Sequence, residues 1–173
     1  CPFKAIRIIN LSAALGRLIH QYGQNLFRLY RLPLPRAGAI VGIVGRNAIG
    51  KTTALRILSG DLVPNIGDYE GKSSFEKAVE YFRGKELQGY FEKLRERRMK
   101  ISYKPQQIDA LPKTAKSSKS ISELLKAIDE RDAYSSIVES LHLELVLGRP
   151  LGKLSGGELQ KVAIAACILR DAD

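Results

Sequence analysis

The segment GRNAIGKTT, Gly45 to Thr53, holds the residues of this sequence best placed to do chemistry. GRNAIGKT fits the pattern G-x-x-x-x-G-K-[ST]. An apolar run, AIVGIV, precedes it, and a segment with helical spacing, TTALRILSG, follows. Each part has a physical task. Gly45 and Gly50 permit a tight turn whose successive N–H groups converge on one anion. A helix starting near Lys51 points the positive end of its dipole at the same place. Lys51 is a point charge able to bridge β- and γ-phosphates, and the Thr52 hydroxyl is an oxygen ligand for Mg²⁺. Thr53 is the next hydroxyl, directed at the α-phosphate region, and Asn47 adds a polar group to the loop. The chemistry implied is the binding of a nucleoside triphosphate.

A second motif, LSGGE (Leu154 to Glu158), opens a later helix. By itself Ser-Gly-Gly is an ordinary helix start, with Ser155 as the cap. It also gathers the Ser155 hydroxyl and the N–H groups of Gly156 and Gly157 at a helix N-terminus, where anions bind.

The elements that must position these motifs alternate between strand and helix patterns. AIRII near the start is β-rich, and RLIHQYGQNLFRLYRL predicts two short strands. AIVGIV (39–44) reads as a strand buried on both faces. The helix after it stops at Gly60. FEKAVEYFRGKELQGYFEKLRERR predicts two charged helices broken at Gly84, and ISYKPQQ predicts a short strand ending at Pro105. LPKTAKSSKS and LGRPLGKLSGGE read as loops. SISELLKAIDERD carries a capping-box pattern, DAYSSIVESL continues as helix, and ELQKVAIAACILRDA is helix with Leu159, Val162, Ala163, Ala166 and Leu169 on one face. Such alternation predicts an α/β layered domain. The 173 residues, 45% of them hydrophobic, suffice for one such domain. No apolar run is long enough for a membrane span, and the start lacks the order of a signal peptide. Cys1 and Cys167, far apart, suggest no disulfide framework, so the chain reads as intracellular. A net charge of +10 favours a polyanionic partner, with a merely solvated basic face as the alternative.

The phosphate loop followed by LSGGE-Leu-Gln at the head of an Ala-rich helix resembles the ATP-binding cassette (ABC) superfamily. That resemblance implies a P-loop NTPase fold of the ABC nucleotide-binding type. The loop of one domain would bind ATP, and LSGGE of a second domain, paired head to tail, would close over the γ-phosphate. Ser155, Gly156, Gly157 and Glu158 would form this second half-site. Gln106, in SYKPQQ, stands where the superfamily has its Q-loop glutamine, which senses Mg²⁺ and the attacking water; Lys51 and Gln106 would be the catalytic residues. Tyr22 and Phe27 are the candidates for stacking on adenine, with plain core packing as the other reading.

Within the superfamily, HQYGQNLFRLYRLPLPR before the loop, YFRGKELQGYFEKL and YKPQQIDALPK resemble the RNase L inhibitor family of ribosome-recycling ATPases, ABC subfamily E. CPFKAIRIIN resembles the end of its ferredoxin-like run, with Cys1 as the last cysteine of a [4Fe–4S] site in the full-length parent. Residues 1–10 would then be the tail of an iron–sulfur domain. Residues 11–173 would be the first part of an incomplete nucleotide-binding domain, with a helix-loop-helix insert at about 74–100. The resemblance implies a cytoplasmic ATPase that splits ribosomes, its partners being a second nucleotide-binding domain and the small subunit's RNA. Arg83, Lys85, Lys93, Arg95, Arg97, Arg98 and Lys100 are the candidates for phosphate contact there. Ala48 stands where the family's loop has a glycine, Thr52 where it has Ser, and Lys85 where its insert has Ser. Ala48 takes positive φ less readily, which puts the loop geometry in question.

In the family an apolar strand ending in Asp-Glu, a D-loop and a switch histidine follow the position of Asp173; His20 and His142 lie outside that region. The sequence is therefore expected to be a fragment that binds nucleotide, hydrolyses it negligibly and folds marginally around an incomplete sheet. Two rival readings are the ATPase module of a membrane transporter and a non-catalytic, nucleotide-responsive scaffold on RNA.

Overall fold

The computed structural model describes residues 16–106 and 119–173. AIRII, Cys1 and most of the LPKTAKSSKS loop lie outside the described residues. Two compact units divide the chain, one ending at Arg98 and the other running from Met99 to Asp173.

The first unit opens with an antiparallel ribbon of β1 (His20–Gln21) and β2 (Arg28–Leu29), in which His20 pairs with Leu29 and Gln21 with Arg28. The two strands predicted from the alternating run are thus present, though short. Helix α1 (Lys51–Leu58) follows the glycine loop and ends at Ser59, with Gly60 at φ 77°. Helices α2 (Phe75–Tyr81) and α3 (Leu87–Arg95) flank Gly84, whose φ of 73° suits a residue without a Cβ. Ser74 caps α2 by accepting from the Lys77 N–H. The core joins Ile19 and Leu29 of the ribbon to Ile57 and Leu58 of α1 and to Phe82 and Phe91 of the helical pair. The Phe82 and Phe91 rings stack at 5.0 Å and 9°. The Tyr90 hydroxyl donates to the Leu58 carbonyl at the end of α1. The helical pair is therefore built into the same core as the helix that follows the glycine loop.

Two strand expectations fail. Residues 39–44 form no strand, and Ile40 and Val44 are 102% and 95% exposed. The ribbon is the one sheet among the described residues. Composition made AIVGIV read as a doubly buried strand, but burial also needs ladder partners on both sides, and no described segment supplies them. ISYK (101–104) likewise has no ladder, although it is half-buried.

The second unit contains α4 (Ile121–Ala127), α5 (Tyr134–Ser140), 3-10 turns at Glu144–Val146 and Leu151–Lys153, and α6 (Gly156–Ile168). Ser120 and Glu123 form the capping box read from the sequence. No residue within α5 caps it; Asp129 does so instead, accepting from the N–H groups of Ala133 and Tyr134. Ile121, Leu125, Val138, Val162, Ala165 and Leu169 fill the core. The buried face of α6 carries Leu159, Val162 and Ala163, with Leu169 buried just past its end, as the spacing implied; Ala165 is fully buried and Ala166 only partly so. No helix among the described residues is long and apolar enough to cross a membrane.

Candidate nucleotide-binding site

In the first unit the loop from Gly45 to Gly50 is exposed and ends in the left-handed region, with Gly50 at φ 95° and ψ 16° capping α1. No backbone N–H from Gly45 to Thr53 donates a hydrogen bond among the described residues. A helix start leaves its first donors open by geometry, and here the loop before it adds more. The Lys51 ammonium curls over this row and donates to the carbonyls of Gly45 and Arg46, both at 2.7 Å. The Thr52 side chain is exposed and makes no hydrogen bond among the described residues, while Thr53 is buried. Asn47 is exposed on the loop. A row of free donors, a cation and an uncommitted hydroxyl suit a phosphate chain with Mg²⁺.

Ala48 adopts the left-handed conformation at φ 65°. An alanine thus takes the conformation that favours glycine, and the backbone carries the strain. Replacing Ala48 with Gly removes a penalty of about 1 kcal/mol. Ala48→Gly should therefore raise the melting temperature of the chain by a few degrees. Thermal melts of the two chains check this, and an unchanged midpoint contradicts the account.

The two upstream aromatics occupy different places. Phe27 packs beneath the loop; a Cβ on Gly50 would lie 2.3 Å from its Cζ. Tyr22 is 44% exposed, and its hydroxyl is 3.3 Å from the Thr53 Oγ1 in the first turn of α1. Their ring centroids are 6.5 Å apart and tilted by 45°. Of the two, Tyr22 offers the open ring.

His20 stands edge-on to Tyr22, with ring centroids 4.7 Å apart and planes at 82°. It is buried, and neither ring nitrogen has a hydrogen-bond partner among the described residues. Burial, and next the positive charge of Arg56, push its pKa below the ordinary 6.5. The unfolded chain then takes up the proton first. The stability tied to neutral His20 is complete above pH 6.5 and falls as pH drops toward the lower folded value. Melts of this chain should show a loss that begins near pH 6.5, and His20→Leu should flatten that limb. Glu123 and Glu158, whose carboxylates are held below 4.5 chiefly by the N–H groups of Ser120 and Ser155, act only at lower pH. A limb unaltered in His20→Leu would exclude the imidazole as its source.

In the second unit Ser155 caps α6 in a full capping box. Its hydroxyl and its N–H both donate to Glu158 Oε2 at 2.7 Å, and the Glu158 N–H donates back to the hydroxyl at 3.3 Å. Arg149 reaches Glu158 Oε1 at 3.3 Å. The loop carrying Arg149 is pinned to the head of α4, where Ile121 and Ser122 donate to the Arg149 and Leu147 carbonyls at 3.0 Å. Gly156 and Gly157 are exposed. Gln106 is exposed at the end of a segment tied to α6 by Lys104 to Gln160 at 2.6 Å and by Ser102 to the Cys167 carbonyl at 2.9 Å.

The basic candidates divide. Lys85 lies over the Tyr81 and Phe82 rings at 4.6 and 5.7 Å. Arg95 and Arg98 share Glu96 at 3.0 and 3.2 Å. Lys100 pairs with Asp171 at 2.8 Å and belongs to the second unit. Arg83, Lys93 and Arg97 are exposed and make no ion pair among the described residues. Charge spacing alone could not separate these three groups.

Asn65 was missed. It is buried, and its side chain holds both backbone groups of Gln21, which precedes Tyr22. NIGD reads as a turn in the sequence, and nothing local to it announces a partner 44 residues away.

Fold and loop together define a P-loop nucleotide-binding domain. The sequence profile of the ABC transporter family matches residues 35–173, and the chain belongs to that family. Within it, the chain is 49% identical to an uncharacterized ABC transporter ATP-binding protein of Methanocaldococcus jannaschii, over 100% of this chain and 29% of that protein. The solved structure of an RNase-L inhibitor superposes with a TM-score of 0.85 at 47% identity, covering 90% of this chain and 30% of that one. An archaeal ribosome recycling factor, solved in complex with the archaeal ribosomal stalk protein, gives 0.83 at 47% identity, covering 90% and 29%. The chain spans 28–30% of the length of its curated relatives at 45–49% identity.

Proposed function

We propose that this chain is the ATP-binding part of a cytoplasmic ATPase that separates ribosomal subunits. The observation that carries the reading is the row of undonated N–H groups from Gly45 to Thr53 with Lys51 folded over it. A triphosphate takes these donors, and Lys51 exchanges two carbonyls for phosphate oxygens. The exposed Thr52 hydroxyl would hold Mg²⁺, which would supply positive charge to the phosphate chain. Tyr22 presents its ring to the base, while Phe27 supports the loop from below. Ser155, Gly156, Gly157 and Glu158 serve the γ-phosphate held by a second nucleotide-binding domain, and Gln106 orients the water. The likeness of CPFKAIRIIN to a ferredoxin-like run supports Cys1 as a residue that would hold a [4Fe–4S] cluster. The likeness to a ribosome recycling factor supports the ribosomal partner, as does the surplus of positive charge. Arg83, Lys93 and Arg97 are the side chains left open for RNA phosphates, with Lys85 presented on its aromatic seat.

Calorimetric titration of the intact natural chain with Mg-ATP, together with ribosome pelleting at rising salt, tests the whole reading. Saturable ATP binding and pelleting that weakens steeply with salt are expected. A transporter module would bind ATP and not pellet; a scaffold would pellet without regard to ATP.

A further inference from the structure

We propose that Asn65 is a positioning residue for the nucleotide base, acting through the ribbon that carries Tyr22. The assignment rests on the reading above that Tyr22 faces the base. Tyr22 sits just after β1, and among the described residues its ring has an edge-on contact with His20, a tilted and more distant one with Phe27, and one long hydroxyl bond to Thr53. Its direction is therefore set by the backbone of Gln21. That backbone is clamped from the side away from β2. The Gln21 N–H donates to the Asn65 Oδ1 at 3.0 Å, and the Asn65 Nδ2 donates to the Gln21 carbonyl at 2.7 Å. One amide thus completes both hydrogen bonds of Gln21, as a neighbouring strand would. Ile66 extends the mimicry by donating to the Ile19 carbonyl at 2.9 Å. The Asn65 Oδ1 also accepts from the Gly67 N–H at 3.2 Å, which fixes the amide in its own turn.

The clamp reaches the turn as well. The Gln21 side chain, buried with Asn65, donates to the Gly23 and Gln24 carbonyls at 2.6 and 3.0 Å. These bonds shape the turn on which Tyr22 begins. Asn65 lies in the segment that follows α1, and Tyr22 touches the first turn of α1. The base-side ring is thereby held by the first turn of α1 and, through Gln21, by the segment after that helix. No other described side chain hydrogen-bonds the Gln21 backbone.

The test uses the intact natural chain and compares Asn65→Leu, Tyr22→Ala and the double variant. Dissociation constants are measured for Mg-ATP and for Mg-tripolyphosphate, which lacks a base. Tyr22→Ala should weaken ATP about tenfold, within the range of an aromatic–base stack. Asn65→Leu should weaken ATP by about threefold to tenfold, leave tripolyphosphate unchanged, and add nothing in the Tyr22→Ala background. An equal loss on tripolyphosphate would mean a merely structural role, and an additive double variant would mean a separate route; either overturns the assignment. Should Asn65→Leu fail to fold, Asn65→Asp keeps the Oδ1 acceptor, loses the donor, and carries the same comparison. If Tyr22→Ala weakens ATP and neither Asn65 variant does, the Asn65 assignment falls alone. If Tyr22→Ala leaves ATP binding intact, the reading beneath it falls too.

Discussion

Gly50→Ala should cost the chain about 2–4 kcal/mol of stability and abolish measurable ATP binding. Two penalties add. At φ 95° an L side chain is strained whatever the space around it. The new Cβ would also lie 2.3 Å from the Phe27 Cζ and 2.9 Å from its Cε1, with Leu29 behind. Phe27 cannot retreat freely, because it packs on the core of the ribbon and α1. Gly45 makes the contrast. A Cβ there meets Ile49 alone, chiefly its Cδ1 with Cγ1 farther off, the outer part of an exposed side chain that can rotate away. Gly45→Ala should therefore be the milder change. Melts and ATP titrations of both variants check the order. Trimming the ring in Gly50→Ala/Phe27→Leu should recover part of the lost stability; no recovery would show that the ring is not the obstacle.

Lys51→Met should leave the fold almost untouched and weaken ATP about a hundredfold, near the upper range for hydrogen bonds to a charged group. Lys51 bonds only to loop carbonyls in an exposed setting, so its removal should lower stability by less than about 1 kcal/mol. Its value lies in offering a full charge to phosphate oxygens inside a ring of neutral donors. A titration in which Lys51→Met binds Mg-ATP as tightly as the natural residue would remove Lys51 from the site, and with it the reading of the loop.

Local signals were legible where the physics is local. The capping box at Ser120, the cap at Ser155, the stop at Gly60 and the break at Gly84 follow from side-chain reach and positive φ within a few residues. The alternating run before the loop gave its ribbon, and the spacing in α6 gave its buried face. What failed needed distant partners. Residues 39–44 have the composition of a central strand and no ladder among the described residues. Asn65 is informative only once Gln21 is beside it. The phosphate-loop pattern is readable because it lies in contiguous residues. The places of Tyr22 and Phe27 are not, since only packing tells which ring lies against Gly50 and which stays open.

The box at the head of α6 has a consequence for that turn. The Ser155 hydroxyl proton is already spoken for by a carboxylate, which itself leans on Arg149. Any incoming phosphate must therefore compete with a resident anion for the same hydroxyl, and the outcome depends on how firmly the guanidinium draws Glu158 aside. A phosphate arriving at this helix start would thus have to displace an acceptor already in place.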